Sequence, residues 1–216
     1  MSTLTDFVTG VDERIQDEES KLSQTIREEC VAQALAEYNR VRPRYLVEES
    51  AGDNTSFLAV PASWDSEFSK IARLDKLNSD DEPTLIHPSR YQVIQNPAPE
   101  DPVIFWSFDT FALTTTYRVK YTVPHTVTAL ASSVPSGDEA ALMDLAACHA
   151  CLRLAAAYAQ MIDQSIGTEV INFKNKSGYY RSLSKDLRAR YNQTVKGSGA
   201  SGQKAWVREQ TLLFHG

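Results

Sequence analysis

Cysteine is scarce in this 216-residue chain, which has three, at positions 30, 148 and 151. A sparse, odd set excludes a disulfide framework and fits a reducing compartment. Long apolar runs are missing as well. No uninterrupted stretch reaches the ~18 residues of a spanning helix, and the alanine-rich segment after 137 is broken by Asp144, His149 and Arg153. The opening MSTLTDFVTGVDERIQDEES has no basic start followed by an apolar core, so no signal peptide is expected. There is no glycine-rich phosphate loop, no Gly-x-Ser-x-Gly and no His-Glu-x-x-His. His87 and His125 sit beside prolines and read as turn residues rather than bases. No enzyme activity and no cofactor are expected.

Positive charge is short over most of the chain. Residues 1–140 carry 12 basic and 23 acidic side chains, a net of -11, whereas residues 141–216 carry 10 and 5, a net of +5. An acidic body argues against wrapping nucleic acid, because phosphate contacts need Lys and Arg. A basic end on an acidic body suits an acidic protein surface. Hydrophobic residues make up 42 % of the chain, enough for a real core.

The pattern of the remaining residues predicts an α+β chain, mainly helical. A first helix is expected over about 5–41, with Leu22, Ile26, Cys30 and Ala34 four apart and Val31, Leu35 and Tyr38 widening the stripe. It should stop before Pro43. The stretch of about 44–130 holds most of the prolines and reads as a small inserted antiparallel sheet. Its best strand is TTYRVKYTV, 115–123, where Tyr117, Val119, Tyr121 and Val123 alternate with polar residues. Weaker strands are expected at 56–60, 71–77, 91–95 and 103–107, and a short helix at 61–71 with Ser63 as its cap. The segments 78–83 and 96–102 read as loops.

A long helix over 137–163 follows, with Ser136 and Glu139 in capping-box spacing. Within it stands CHAC, Cys148-His149-Ala150-Cys151. A reactive Cys-x-x-Cys places its first sulfur at a helix N-terminus. Cys148 lies well inside the helix, on the apolar side with Leu145 and Leu152, and Cys151 lines up with Ala155 and Tyr158. His149 falls with Arg153 and Gln160 on the polar side. Two further ligands that a zinc site would need are not supplied in any recognisable spacing, so no metal is expected. After a turn at SIGT and an extended EVINF, a last helix is expected over 177–195, with apolar Tyr180, Leu183, Leu187 and Tyr191. Residues 196–216 read as a flexible linker, GSGASG, and a tail.

Several stretches in order carry a resemblance. They are ALAEYNRVRPR (34–44), AVPASWDSEFSKIARLD (59–75), PTLIHPSRYQVI (83–94), YRVKYTVPHTV (117–127), SVPSGDEAALMDLAACHACLRLAAAYAQ (133–160) and VINFKNKSGYYRSLSKDLRARYNQ (170–193). This order resembles the head-to-tail adaptor (connector) proteins of tailed bacteriophages. The resemblance implies a domain over 1–195 made of a helical bundle with an inserted β region. It also implies a structural protein of the virion neck, made in the host cytoplasm. Such proteins form a homo-oligomeric ring, commonly of twelve copies, under the portal. The ring extends the DNA channel without specific DNA binding, offers a platform to stopper or tail proteins, and involves no membrane.

On that footing, Lys174, Lys176, Arg181, Lys185, Arg188 and Arg190 are expected to bind the portal, with Trp206, Leu212 and Phe214 as apolar anchors. Asp80, Asp81 and Glu82 are the acidic candidates for facing the channel. The alternative reading is a small cytosolic redox or metal-dependent protein that uses Cys148 and Cys151.

Overall fold

The computed structural model describes residues 2–17, 21–77, 82–95, 101–107, 109–162 and 168–212, with side chains for all of these but 162, 168–172, 196 and 198–212. The chain divides into two compact units, one made of residues 1–42 and 125–216 and the other of residues 43–124. Together they give an α+β mixture of four helices and two small antiparallel sheets among the described residues.

The first unit holds the helices. The single helix expected over 5–41 is two. α1 spans Leu4–Ile15 and α2 spans Gln24–Val41. Thr3 starts α1 with a capping box, its hydroxyl accepting from the Asp6 N–H while Asp6 accepts from the Thr3 N–H at 2.7 Å. Gln16 ends it in the left-handed region, with φ 48°. Ser23 then caps α2 by accepting from the Ile26 N–H. The break therefore lies in backbone geometry at Gln16, which no glycine announces. α2 ends at Arg42, ahead of Pro43.

α3 spans Ser136–Ile162 and is the centre of the unit. Ser136 is its first residue rather than its cap, and Glu139 accepts from the Ser2 hydroxyl instead of closing a capping box. By length and mean hydropathy its Ser136–Met161 stretch would suffice to cross a bilayer, yet 56 % of that window is buried within the chain. It also carries Asp144 paired with Arg14 and Arg153 paired with Glu29. It is a core helix. Leu142, Leu145, Ala146, Ala150 and Leu154 are fully buried, and its small alanines let α1, α2 and α4 approach closely. Leu152 departs from the expected apolar face and is exposed. Gly10 of α1 shows how tight the packing is, since an added Cβ would sit 2.5 Å from Met143 Sδ.

α4 spans Thr168–Leu212. EVINF is thus helical and not extended, although Val170 and Ile171 favour strands, because β-strand propensity is weak against the context that surrounds it. The helix also runs through GSGASG, where a flexible linker was expected. Glycines there cost about 1 kcal/mol each relative to alanine, but the backbone ladder continues across them.

The second unit holds the strands β1 (Arg44–Ala51), β2 (Phe57–Ala59), β3 (Ile71–Leu77), β4 (Pro83–Leu85), β5 (Tyr91–Gln95), β6 (Pro102–Trp106) and β7 (Thr116–Val123). One sheet runs in the order β1-β7-β3-β4 and the other β2-β6-β5. Leu58, Leu74, Ile104, Trp106, Phe111, Tyr117, Val119 and Tyr121 form their common core. β7 lies between β1 and β3, so both of its edges are occupied. The stretch 61–70 forms turns rather than a helix. Asp65 organises them by accepting from the Glu67 and Phe68 N–H groups, so Ser63 caps nothing. Gly52 sits where backbone meets backbone, since an added Cβ would lie 2.3 Å from the Ala112 carbonyl oxygen.

Candidate functional site: a cationic face on α4

α4 presents two faces. Tyr180, Ser184, Leu187, Tyr191 and Val195 are buried, and the Ser177 hydroxyl donates to the Ala155 carbonyl at 2.9 Å. At about 100° per residue these positions share one arc of the helix. Lys174, Arg181 and Lys185 fall on a different arc, within about 40° of one another. All three are exposed, and among the described residues no ion pair reaches them. Gly178 lies between them with open space where its Cβ would be. The stripe is about 16 Å long at 1.5 Å per residue.

The other cations expected to join it sit at other angles on the helix. Arg188 flanks the buried arc and reaches back to Glu37 of α2, at 2.7 Å. Lys176 flanks the other side, with Nζ 5.3 Å from the centre of the Tyr158 ring. Arg190 is exposed but lies nearly opposite the stripe. Trp206 and Leu212 belong to the last turns of the α4 backbone. Phe214, Asp80 and Asp81 lie outside the described residues. Glu82 is exposed, just before β4.

Two polar networks that sequence reasoning missed tie the elements of this unit together, and the first of them reaches α4. His149 Nε2 lies 3.1 Å from Glu37 Oε1, so Glu37 ties α2 to both α3 and α4. Burial pushes the His149 pKa down, and the Glu37 carboxylate only partly offsets this. The second network gathers at the start of α3. Tyr38 donates to Asp138 at 2.6 Å and Arg42 donates to both Asp138 oxygens at 2.7 and 2.9 Å. Asn39 clamps the His125 backbone, donating to its carbonyl at 3.1 Å and accepting from its N–H at 2.8 Å. His125 Nδ1 in turn lies 2.8 Å from the Ser133 carbonyl. These partners are far apart in sequence, so no local pattern could have signalled them.

No protein-family model and no curated protein matches the chain. Among solved structures it is similar to a chain in the neck of an empty gene transfer agent particle, at 12 % identity and TM-score 0.28, over 59 % of this chain and 67 % of that one. It is similar also to a chain in the virion of a native gene transfer agent particle, at 11 % identity and TM-score 0.29, over 68 % and 78 %. Both scores are below the level at which a shared fold follows.

The cysteines offer no reactive sulfur. Cys30, Cys148 and Cys151 are free and buried. Burial raises the pKa of all three, and that of Cys151, with Cys148 and Cys30 as neighbours, reaches about 12. A catalytic thiolate needs the opposite shift. Among the described residues no three His, Cys, Asp or Glu side chains gather as a metal site would require.

Proposed function

We propose that this chain is a head-to-tail adaptor of a phage-like particle, a structural component that assembles as a ring under the portal and extends the DNA channel. The order of sequence stretches carries the family resemblance. The single structural observation that supports docking is the stripe of Lys174, Arg181 and Lys185. It is exposed, no ion pair reaches it among the described residues, and it is held on a helix whose neighbouring face, about 100° round, is fixed in the core. Such a stripe suits an acidic surface on the portal, with Trp206 and Leu212 at the end of α4, and Phe214 after them in sequence, extending the contact, while Arg190, on the other side of the helix, would need a second surface. Lys176 and Arg188 serve mainly to seat the helix. The net charge of -11 over residues 1–140 suits a channel along which DNA slides, since each phosphate contact would add affinity. Glu82, with Asp80 and Asp81, supplies part of that charge. Stopper or tail proteins would engage the ring elsewhere, and twelve copies is the number the resemblance implies. Nothing in the thiols favours a redox or metal role.

The test is charge reversal at Lys174, Arg181 and Lys185 together, with portal binding measured against salt. The variant should keep its helical content and unfolding midpoint. Its portal affinity should fall at least about tenfold, a loss of about 1.4 kcal/mol, and its binding should become less sensitive to salt. Unchanged affinity would remove α4 from the interface, and a wild-type protein that binds no portal ring would overturn the adaptor reading itself.

A further inference from the structure

Among the described residues four strand edges are open in the second unit, those of β1 and β4 in one sheet and of β2 and β5 in the other. β2 and β4 are three residues long, and shortness alone blunts an edge. β1 has eight residues and β5 has five. Their pairing shows which backbone groups face outward. The Gly52 N–H donates to the Thr115 carbonyl, so the even-numbered residues of β1 bond to β7, leaving the N–H and C=O groups of Tyr45, Val47 and Glu49 on the free edge. The Ser107 N–H donates to the Arg90 carbonyl, so in the same way Tyr91 and Val93 of β5 face outward. Among the described residues no backbone bond reaches these five outward positions.

Side chains at these positions are also uncovered. Tyr45 is 53 % exposed and Val47 54 %, both on the outer face of their sheet. Val93 is 39 % exposed and opens into a groove of about 480 Å³ beside β5, which Trp64, Lys70, Ile71 and Tyr91 also line. One edge thus offers exposed apolar side chains, and the other offers a groove.

We infer that β1 of one copy adds antiparallel to β5 of a neighbouring copy, with Val47 opposite Val93, so that the sheets join across copies of this chain. This rests on the ring reading above. The register follows from the residues. Val47 opposite Val93 places Tyr45 across from Gln95 and Glu49 across from Tyr91, next to Arg90. Sliding two residues one way brings in Pro43, which has no N–H to give. Sliding two the other way sets Glu49 against Val93. Residues opposite each other in a sheet share a face, so Tyr45 and Val47 enter the groove side. Charge agrees at the lining, because β1 brings Glu49, which pairs with Arg118 in its own chain, whereas the residues that line the groove include Lys70 and, among those described, no acid. The contact joins two different edges, so it repeats head to tail, as a ring requires, rather than closing a pair.

Cysteine cross-linking tests it on the full chain. A bonded antiparallel pair has Cα atoms about 5.5 Å apart, within disulfide range, and the three native cysteines are buried. Val47→Cys and Val93→Cys chains are mixed and oxidised, free at high concentration and again bound to a portal ring. The expected result is a shift from the monomer band to a dimer band for the mixture, none for either variant alone, and none when Leu113→Cys replaces Val93→Cys. Cross-linking without portal binding would support the strand contact and sink the adaptor reading. Portal binding without cross-linking would overturn the strand contact alone, as would Val47→Cys linking to itself. Absence of the cross-link in both settings overturns it too.

Discussion

Removing one oxygen atom probes the buried network at the start of α3. Tyr38→Phe keeps the ring, which is fully buried and 5.4 Å from the His125 ring, and deletes only the hydroxyl that donates to Asp138. A hydrogen bond to a charged acceptor contributes about 1.5–3 kcal/mol. The lower end applies, because Asp138 keeps both contacts from Arg42 and is not orphaned. The expected loss is therefore about 1.5 kcal/mol. Asp138→Asn removes the counter-charge of Arg42 instead. The Arg42 side chain is 26 % exposed, so water screens part of that pair. Its loss should come to about 2 kcal/mol, below the 3–5 kcal/mol of a fully buried pair. The two changes share one contact, so the double variant should lose less than the sum, with a coupling of about 1 kcal/mol. Urea unfolding followed by far-ultraviolet circular dichroism measures all four corners of the cycle. A cost for Tyr38→Phe under about 0.5 kcal/mol, the level of an ordinary surface change, or strictly additive losses, would refute the network as a source of stability.

The pH dependence near neutrality should follow His149, whose pKa is lowered by burial against the opposing pull of Glu37 and with Arg188 and Arg153 acting in the same direction as burial. The unfolded chain then takes up the proton first, so the stabilisation is complete above the ordinary value of ~6.5 and is lost as pH falls below it. Urea midpoints should drop from pH 7.5 towards pH 5.5 (both about one unit from that value), and His149→Gln should flatten the slope; an unchanged slope would place the titration elsewhere. Gly52→Ala should cost about 1–3 kcal/mol, as overpacking against rigid backbone does, because the new Cβ meets the Phe111 and Ala112 carbonyls; a neutral effect in the same melts would show that the 111–112 backbone yields freely.

What was legible in the sequence depended on how local the cause was. β7 stood out because Tyr117, Val119, Tyr121 and Val123 alternate, and they alternate because the strand lies at the centre of its sheet over a core. β1 went unnoticed as a strand for the converse reason. As an edge it leaves Tyr45 and Val47 outside, and it turns Glu48 inward, where that carboxylate accepts from the Tyr121 hydroxyl and the Ala62 N–H. An inward acid spoils the alternation unless its distant partners are known. α3 and its buried cysteines were readable from spacing and composition, whereas the break between α1 and α2 depended on a left-handed Gln16 that no residue type announces.

The cationic run on α4 shows the same division within one helix. Composition places six cations between 174 and 190 but cannot say which are available. Angular position can, once the buried arc of Tyr180, Leu187, Tyr191 and Val195 is fixed. A long side chain at the border of that arc is within reach of the neighbouring helices, and both border cations are engaged, Arg188 with Glu37 and Lys176 with the face of Tyr158. Lys174, Arg181 and Lys185 lie about 40–80° past the edge of that arc, and they stay in solvent. The availability of a charge is thus set by its angle to the core and not by its place in the run. A charge on the border holds the helix, and a charge beyond it is left for something outside the chain.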